Sequence, residues 1–247
     1  MSNNYFSKLD PTFSISEIAE LKLDPFSVNT SHIITATACR LLQNKLAYVK
    51  HNFGLDEAKD SRPIGKMFGV LIVQNDKSEL GYLSAFSGKL NGGNHYEGFV
   101  PPVYDSLSDD GFLNNGMTEL SVIVNKVRAL EALADSAYND EIKTLKVKRK
   151  SHSQKLQQKL FDSYHFLNKN KESKSLLDIF KEKQPQGGSG ECAAPKLLQF
   201  AYANNLRPLS IAEFWWGISP KSQRRVHKQY YPACEEKCRP ILGWMLL

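Results

Sequence analysis

Between Met117 and Gln184 the chain contains neither glycine nor proline. A stretch of that length without punctuation residues excludes a succession of short strands and tight turns and leaves a few long elements. Within it Leu120, Ile123, Val127, Leu130, Ala134 and Ala137 are spaced three and four apart in alternation. That spacing is the seam of a helix packed along a partner. Leu156, Leu160, Tyr164 and Leu167 resume the pattern beyond the basic run "KTLKVKRKSHSQK". The spacing predicts a long antiparallel helical hairpin, of coiled-coil type, over residues 117–186.

Strand-like segments lie on both sides of this hairpin, which marks it as an insertion. Residues 1–62 form an N-terminal helical segment, with "SHIITATACRLLQNKLAYVKHNF" as its main helix. Cys39 falls on the apolar face of that helix and reads as a buried, inert thiol. "GKMFGVLIV", a continuous apolar run rich in branched residues, predicts a strand buried in the middle of a sheet. After the turn "QNDKSE", "LGYLSAFSGKL" completes a hairpin with it. Pro101 and Pro102 keep the following segment irregular. Beyond "QPQGGSG" come a helix, "CAAPKLLQFAYANN", with Pro195 in the tolerant first turn, a strand, "LSIAEFWWG", and a last helix opened by "CEEKCRPILGWMLL". The predicted fold class is α/β, with residues 63–116 and 187–247 forming one domain around the inserted hairpin.

The formal net charge of +6 is unevenly distributed. From Lys143 to Lys183 there are twelve Lys and Arg against four Asp and Glu. A basic character confined to one segment points to a nucleic-acid partner, with Lys148, Arg149, Lys150 and Lys155 as phosphate contacts; the alternative is a solvated lysine-rich helix. The loop holding Arg224, Arg225, His227, Lys228, Tyr230 and Tyr231 mixes cations with aromatics and reads as a second RNA-contacting element. Phe214, Trp215 and Trp216 offer either a stacking surface or, as alternate members of a strand, core. No apolar run reaches the roughly 18 residues of a membrane span, and no signal peptide is visible at the N-terminus. The expectation is a cytoplasmic protein with reduced thiols and no membrane partner.

Reduced cysteines argue for metal or catalysis before disulfides. Three of the four, Cys192, Cys234 and Cys238, sit at predicted helix starts, where exposed amides favour the thiolate. Cys234 and Cys238 are four apart and share one helix face. Three thiolates with an open fourth position describe a catalytic type of zinc site, and His227 as fourth ligand would close it into a structural one. The alternative is three buried cysteines without metal. The glycine-rich strings "GKLNGGNH" and "GGSG" match no phosphate-binding fingerprint and are assigned to turns.

The order of a strand hairpin, a helix opened by Cys, a strand and a helix opened by P-x-C-x3-C resembles the cytidine-deaminase fold. That family opens one helix with His/Cys-x-Glu and the next with Pro-Cys-x-x-Cys. The resemblance implies Cys192 as first zinc ligand and Cys234 and Cys238 as second and third. Pro232 stands one residue earlier than the family's proline, and Ala194 occupies the position of its proton-shuttling glutamate. Glu191 and Glu213 are the candidate replacements. An active enzyme of this kind would direct a zinc-activated water at an amidine carbon.

A second resemblance rests on "MFGVLIV", "LSAFSGKL", "FVPPVYD", "GECAAPKLLQFAY", "AEFWWG" and "YYPACEEKCRPIL", in this order around a helical insertion. Together they look like the N-terminal half of a long subgroup of RluA-type RNA pseudouridine synthases. The resemblance implies isomerisation of uridine in structured RNA, ribosomal or transfer, without an organic cofactor, by a synthase domain that follows this half. The H-R-L-D-x-x-T-S-G segment carrying that family's nucleophile is absent from the sequence, and "HNFGLD" at His51–Asp56 is a coincidental match. The chain ends on apolar "GWMLL", as a truncated or split product would. The leading expectation is therefore an RNA-binding accessory domain, inactive alone. A zinc deaminase and an interaction module dimerising through its hairpin stand as alternatives.

Overall fold

The computed structural model describes residues 5–9, 13–28, 32–55, 64–108, 111–181, 183–221 and 223–247. The chain is mixed α/β and divides into two compact units, one of residues 1–103 with 165–247 and one of residues 104–164. In chain order the elements are β1 (Ser7–Lys8), α1 (Ile15–Ala19), α2 (Ile33–Leu46), β2 (Lys66–Gln74), β3 (Leu80–Phe86), α3 (Phe112–Ala132) and α4 (Asn139–Asp162). They continue with β4 (His165–Leu167), β5 (Ser173–Ser175), α5 (Leu176–Phe180), α6 (Ala193–Ala203), β6 (Arg207–Trp216), β7 (Tyr230–Tyr231) and α7 (Arg239–Met245).

The first unit is built on a five-stranded antiparallel sheet in the order β1-β3-β2-β6-β7. As its unbroken apolar run predicts, β2 is central, and Phe68 to Val73 are all buried. Side chains alternate between two faces. Phe68, Val70 and Ile72 join Phe214, Trp216 and the inner face of α2 (Ile34, Ala38, Cys39, Leu42) in one core. Phe68 is its hub, with the rings of Phe53, Phe86, Phe99 and Phe214 around it. Thr35 on α2 donates its hydroxyl to Ser210 Oγ on β6 in a buried 2.9 Å hydrogen bond, fixing the helix along the sheet. The residues predicted as a separate N-terminal segment thus supply a strand and a covering helix of this unit, while positions 56–62, including Asp56 of "HNFGLD", lie outside the described residues.

On the opposite face α6 lies against β2, β3 and β6, and α7 packs against α6 and α5. Ala193, Ala194, Leu197, Leu198 and Ala201 of α6 are fully buried, as are Ile241, Leu242 and Met245 of α7.

The second unit holds α3 and α4. They run antiparallel: Phe112 lies under the Lys159 ammonium, Gly116 against Leu156, and Glu119 beside His152. Ile123 and Val127 are buried as the seam spacing predicts. Two differences from the predicted hairpin have physical causes. The first helix starts at Phe112 and includes Gly116, because a Cβ there would stand 2.3 Å from the Leu156 side chain. It ends at Ala132, so Ala134, with φ +52°, and Ala137 lie in the connecting turn, where the Asp135 carboxylate accepts from the Ala137 amide. Residues 165–181 are not helical hairpin but the β4–β5 pair and α5, within the first unit.

Candidate metal centre

The two cysteine-bearing pieces of sequence meet at the start of α6. Cys192 is its N-cap residue, in extended conformation (φ −72°, ψ 160°), and Cys238 occupies the same position on α7. Cys234 opens the turn before α7, and its carbonyl accepts from the Cys238 and Arg239 amides at 3.3 and 3.1 Å. This turn, not a shared helix face, brings the two thiols together, with their sulfurs 3.3 Å apart. All three Sγ atoms lie within 4.8 Å of one another.

The donor set suits zinc. Four ligands at about 2.3 Å in a tetrahedron would place sulfurs about 3.8 Å apart, within reach of the observed cluster by small side-chain rotations. Cys238 is buried and Cys234 reaches solvent, so the centre has one closed and one open side. Hydrogen bonds from the Cys192 and Cys238 thiols, with those from the Lys237 and Cys238 amides, hold the Cys234 thiol well below its usual range. The same partnership pushes Cys192 and Cys238 up. Three sulfur donors this close together are a set that suits a soft divalent metal.

How α6 comes so close to the sheet is visible in its small residues. Gly69 on β2 pairs with Glu213 on β6. A Cβ at Gly69 would stand 3.0 Å from Ala193 Cβ and from Leu197 Cδ1. With Gly69, Ala193 and Ala194 all lacking bulk, the first turn of α6 sits over the strands, and the Ala194 amide donates to Glu213 Oε1 at 3.2 Å. Glu213 is 7% exposed, and burial pushes its carboxyl up to about 7 against that hydrogen bond. Its charge also acts on Cys192 and Cys238. Glu191 faces elsewhere: its carbonyl accepts from the Gly88 amide at 2.8 Å, and its charge acts on Lys66 and Lys196.

His227 is not part of the cluster. Its Nδ1 accepts from the Gly217 amide at 3.0 Å, which leaves the proton of the neutral ring on Nε2, and its ring stands edge-on to Trp216. Tyr230 packs against Phe214, near Cys39, and its hydroxyl is pushed up to about 12 by burial. Phe214 and Trp216 are core, while Trp215 between them is half-buried and its indole N–H donates to the Ile218 carbonyl at 2.9 Å. Of the loop cations, Arg225 lies over the Tyr231 ring at 4.1 Å, Lys228 lies 5.5 Å from the centre of the Trp216 ring, and Arg224 is exposed. A cleft of about 500 Å³ opens at Cys234, lined by Arg225, Gln223, Ala233, Glu235, Glu236 and Lys237 among others. On α4 the predicted basic patch divides: Arg149 and Lys150 line a groove facing α3, and Lys148 and Lys155 do not.

Two residues of consequence carried no sequence motif. Lys196, 3% exposed on α6, donates to the Phe86 and Gly88 carbonyls at 3.0 and 3.1 Å and ties α6 to the end of β3. Burial lowers its ammonium to about 8. Gly69 had one signal, an isolated glycine inside a strand pattern, which marks close backbone approach.

No helix among the described residues is long and apolar enough to cross a membrane. Comparison with protein families, functionally characterised proteins and solved structures finds no match to this chain.

Proposed function

We propose that Cys192, Cys234 and Cys238 hold one zinc ion and that this centre anchors an RNA-directed accessory domain of deaminase-like arrangement. The observation that carries the reading is the convergence of three thiols from two segments some forty residues apart, with all sulfurs within 4.8 Å. When bound, zinc supplies a Lewis-acidic centre and a covalent-strength clasp between the starts of α6 and α7. The cleft at Cys234 is of a size that accepts a nucleobase; Arg225 and Lys237 on its wall would meet the attached phosphates, its two glutamates being engaged elsewhere, Glu235 by Arg239 and Glu236 by Gln186. Arg224 and Lys228 add exposed cations from the same loop as Arg225, and Lys148 and Lys155 give the other unit a second phosphate-binding face. In this reading the chain holds structured RNA, ribosomal or transfer, for a pseudouridine synthase domain of the RluA type, since its own sequence lacks that enzyme's nucleophilic segment.

Elemental analysis of protein prepared without chelator tests the centre. About one zinc per chain is expected, lost in Cys192→Ser and Cys238→Ser and retained in Cys39→Ser. Metal-free wild-type protein would remove the centre. Salt-dependent binding to structured RNA tests the partner: Arg224→Gln with Arg225→Gln should weaken it and reduce the slope of log K against log salt by about one to two. Unchanged binding would remove the loop from the interface.

A second reading, an active zinc-dependent nucleobase deaminase, is favoured by one contact. The Glu213 carboxylate accepts from the amide of Ala194, the residue where the deaminase pattern has its glutamate. A carboxylate beside the metal, delivered from β6 instead of α6, could carry protons between water and a ring nitrogen. Incubation of the zinc-loaded chain with cytidine, adenosine and RNA, followed by nucleoside analysis, separates the readings. New uridine or inosine that disappears in Glu213→Gln supports the enzyme; none supports the accessory domain.

A further inference from the structure

The α3–α4 unit carries a groove that neither reading uses. It runs between the two helices for about four turns, from Asn139 to Gln154 on α4, and its volume is about 1280 Å³. Its floor is apolar: Met117, Leu120 and Val124 from α3, Ile142 and Val147 from α4. Met117 and Val147 are 53% and 64% exposed. Its walls are basic, formed by Arg128, Lys143, Lys146, Arg149 and Lys150, and none of its described lining residues is acidic. All five cations line the groove, and Lys146 is also paired with Glu131 at 2.7 Å.

Two antiparallel helices bury one seam each, and here α3 and α4 spend theirs on one another. The groove beside that seam is the place where a third helix completes a bundle. We infer that it receives an amphipathic helix of about fifteen residues from a protein partner, apolar on one face and flanked by Asp and Glu. The apolar floor favours a helix over nucleic acid, because a phosphate backbone has no apolar face with which to cover Met117, Val124 and Val147. The uniformly basic walls favour acidic flanks, and they oppose a second copy of the same groove, which would set like charges against each other.

The test uses the full chain and three synthetic sixteen-residue helical peptides with the same leucine face, flanked by Glu, Gln or Lys. Fluorescence anisotropy should give the order Glu, then Gln, then Lys, with the Glu peptide at least tenfold tighter than the Gln peptide and weakened by salt. Val147→Asp, an exposed change that leaves the helix content and melting temperature intact, should weaken the Glu peptide at least tenfold. Lys143→Glu with Lys150→Glu should invert the preference toward the Lys peptide. Equal affinity for the three peptides, or no binding of any at 1 mM (a bound set by roughly −4 kcal/mol of binding energy), would overturn the inference. So would a structured RNA that binds this face without being displaced by the Glu peptide, since the walls would then be a phosphate-binding surface.

Discussion

Replacing Gly69 by alanine tests whether close approach of α6 to β2 builds the cysteine centre. The new Cβ would stand 3.0 Å from Ala193 Cβ, a contact between two atoms fixed to backbone, and 3.0 Å from the mobile tip of Leu197. Leu197 can turn aside; Ala193 moves only with the helix that carries Cys192. Overpacking of this kind costs about 1–3 kcal/mol. Alanine also removes unfolded-state freedom that glycine has, which offsets about 0.4–1 kcal/mol. The net expectation is a loss of about 1–2 kcal/mol, or roughly 2–8 °C in melting temperature for a unit of this size. Zinc should leave the variant faster when challenged with a chromogenic chelator, because the Cys192 sulfur is displaced from the other two. Ala193→Gly alone should cost about 0.5–1 kcal/mol through backbone entropy. Combined with Gly69→Ala it removes the contact, so the double-mutant cycle should show a coupling of about 1 kcal/mol or more. Additive single effects, or a Gly69→Ala protein as stable and as zinc-retentive as wild type, would refute the account of how the helix start is positioned.

Phe68→Ala, which empties the site between four other aromatic rings, should cost about 3–5 kcal/mol in chemical denaturation; a loss under 1 kcal/mol would remove Phe68 from the centre of the core. Cys39, whose thiol burial raises to about 12, should stay unmodified by iodoacetamide at pH 8 in the native protein and react only on unfolding. Lys196 has a folded pKa near 8 against 10.5 unfolded. The unfolded chain therefore binds more protons between those values, and stability should rise with pH across that window, by on the order of 1–3 kcal/mol. Lys196→Met should flatten that rise; an unchanged profile would assign it to other groups.

The boundaries of the helical unit were only partly legible, and the reason is local. Glycine was read as a stop before α3, yet Gly116 lies inside it because Leu156 occupies the space of its missing side chain. At the other end, Leu160, Tyr164 and Leu167 continue a helical spacing through a point where the chain turns into β4. The turn that follows uses no glycine or proline: Asn168 Oδ1 accepts from the Asn170 and Glu172 amides, and Lys171 adopts φ +64°. Asparagine can supply such a turn by its side chain. The central strand β2, by contrast, could be read directly, since a run from Met67 to Val73 has no polar residue to offer solvent and must be covered on both faces.

The cysteines were legible as a cluster because Cys192 and Cys238 stand where helices begin and Cys234 lies one turn before the second of them, but the carboxylate beside them was not. Sequence spacing finds partners on one helix, three or four residues apart. Glu213 reaches the Ala194 amide across nineteen residues, from a strand to a helix start, and nothing in either local pattern connects them. What makes the contact is the antiparallel register that puts Glu213 opposite Gly69, so that the one β2 residue without a side chain leaves room for a carboxylate under the helix. A glutamate at position 194 itself would have no such room, since Ala194 is fully buried against the same strands. The alanine at 194 and the glutamate at 213 are thus two sides of one packing solution. A paired exchange, Ala194→Glu with Glu213→Ala, should therefore unfold the helix start, seen as a lower melting temperature and a weaker helical circular-dichroism signal than wild type; an unchanged melting temperature would refute the pairing.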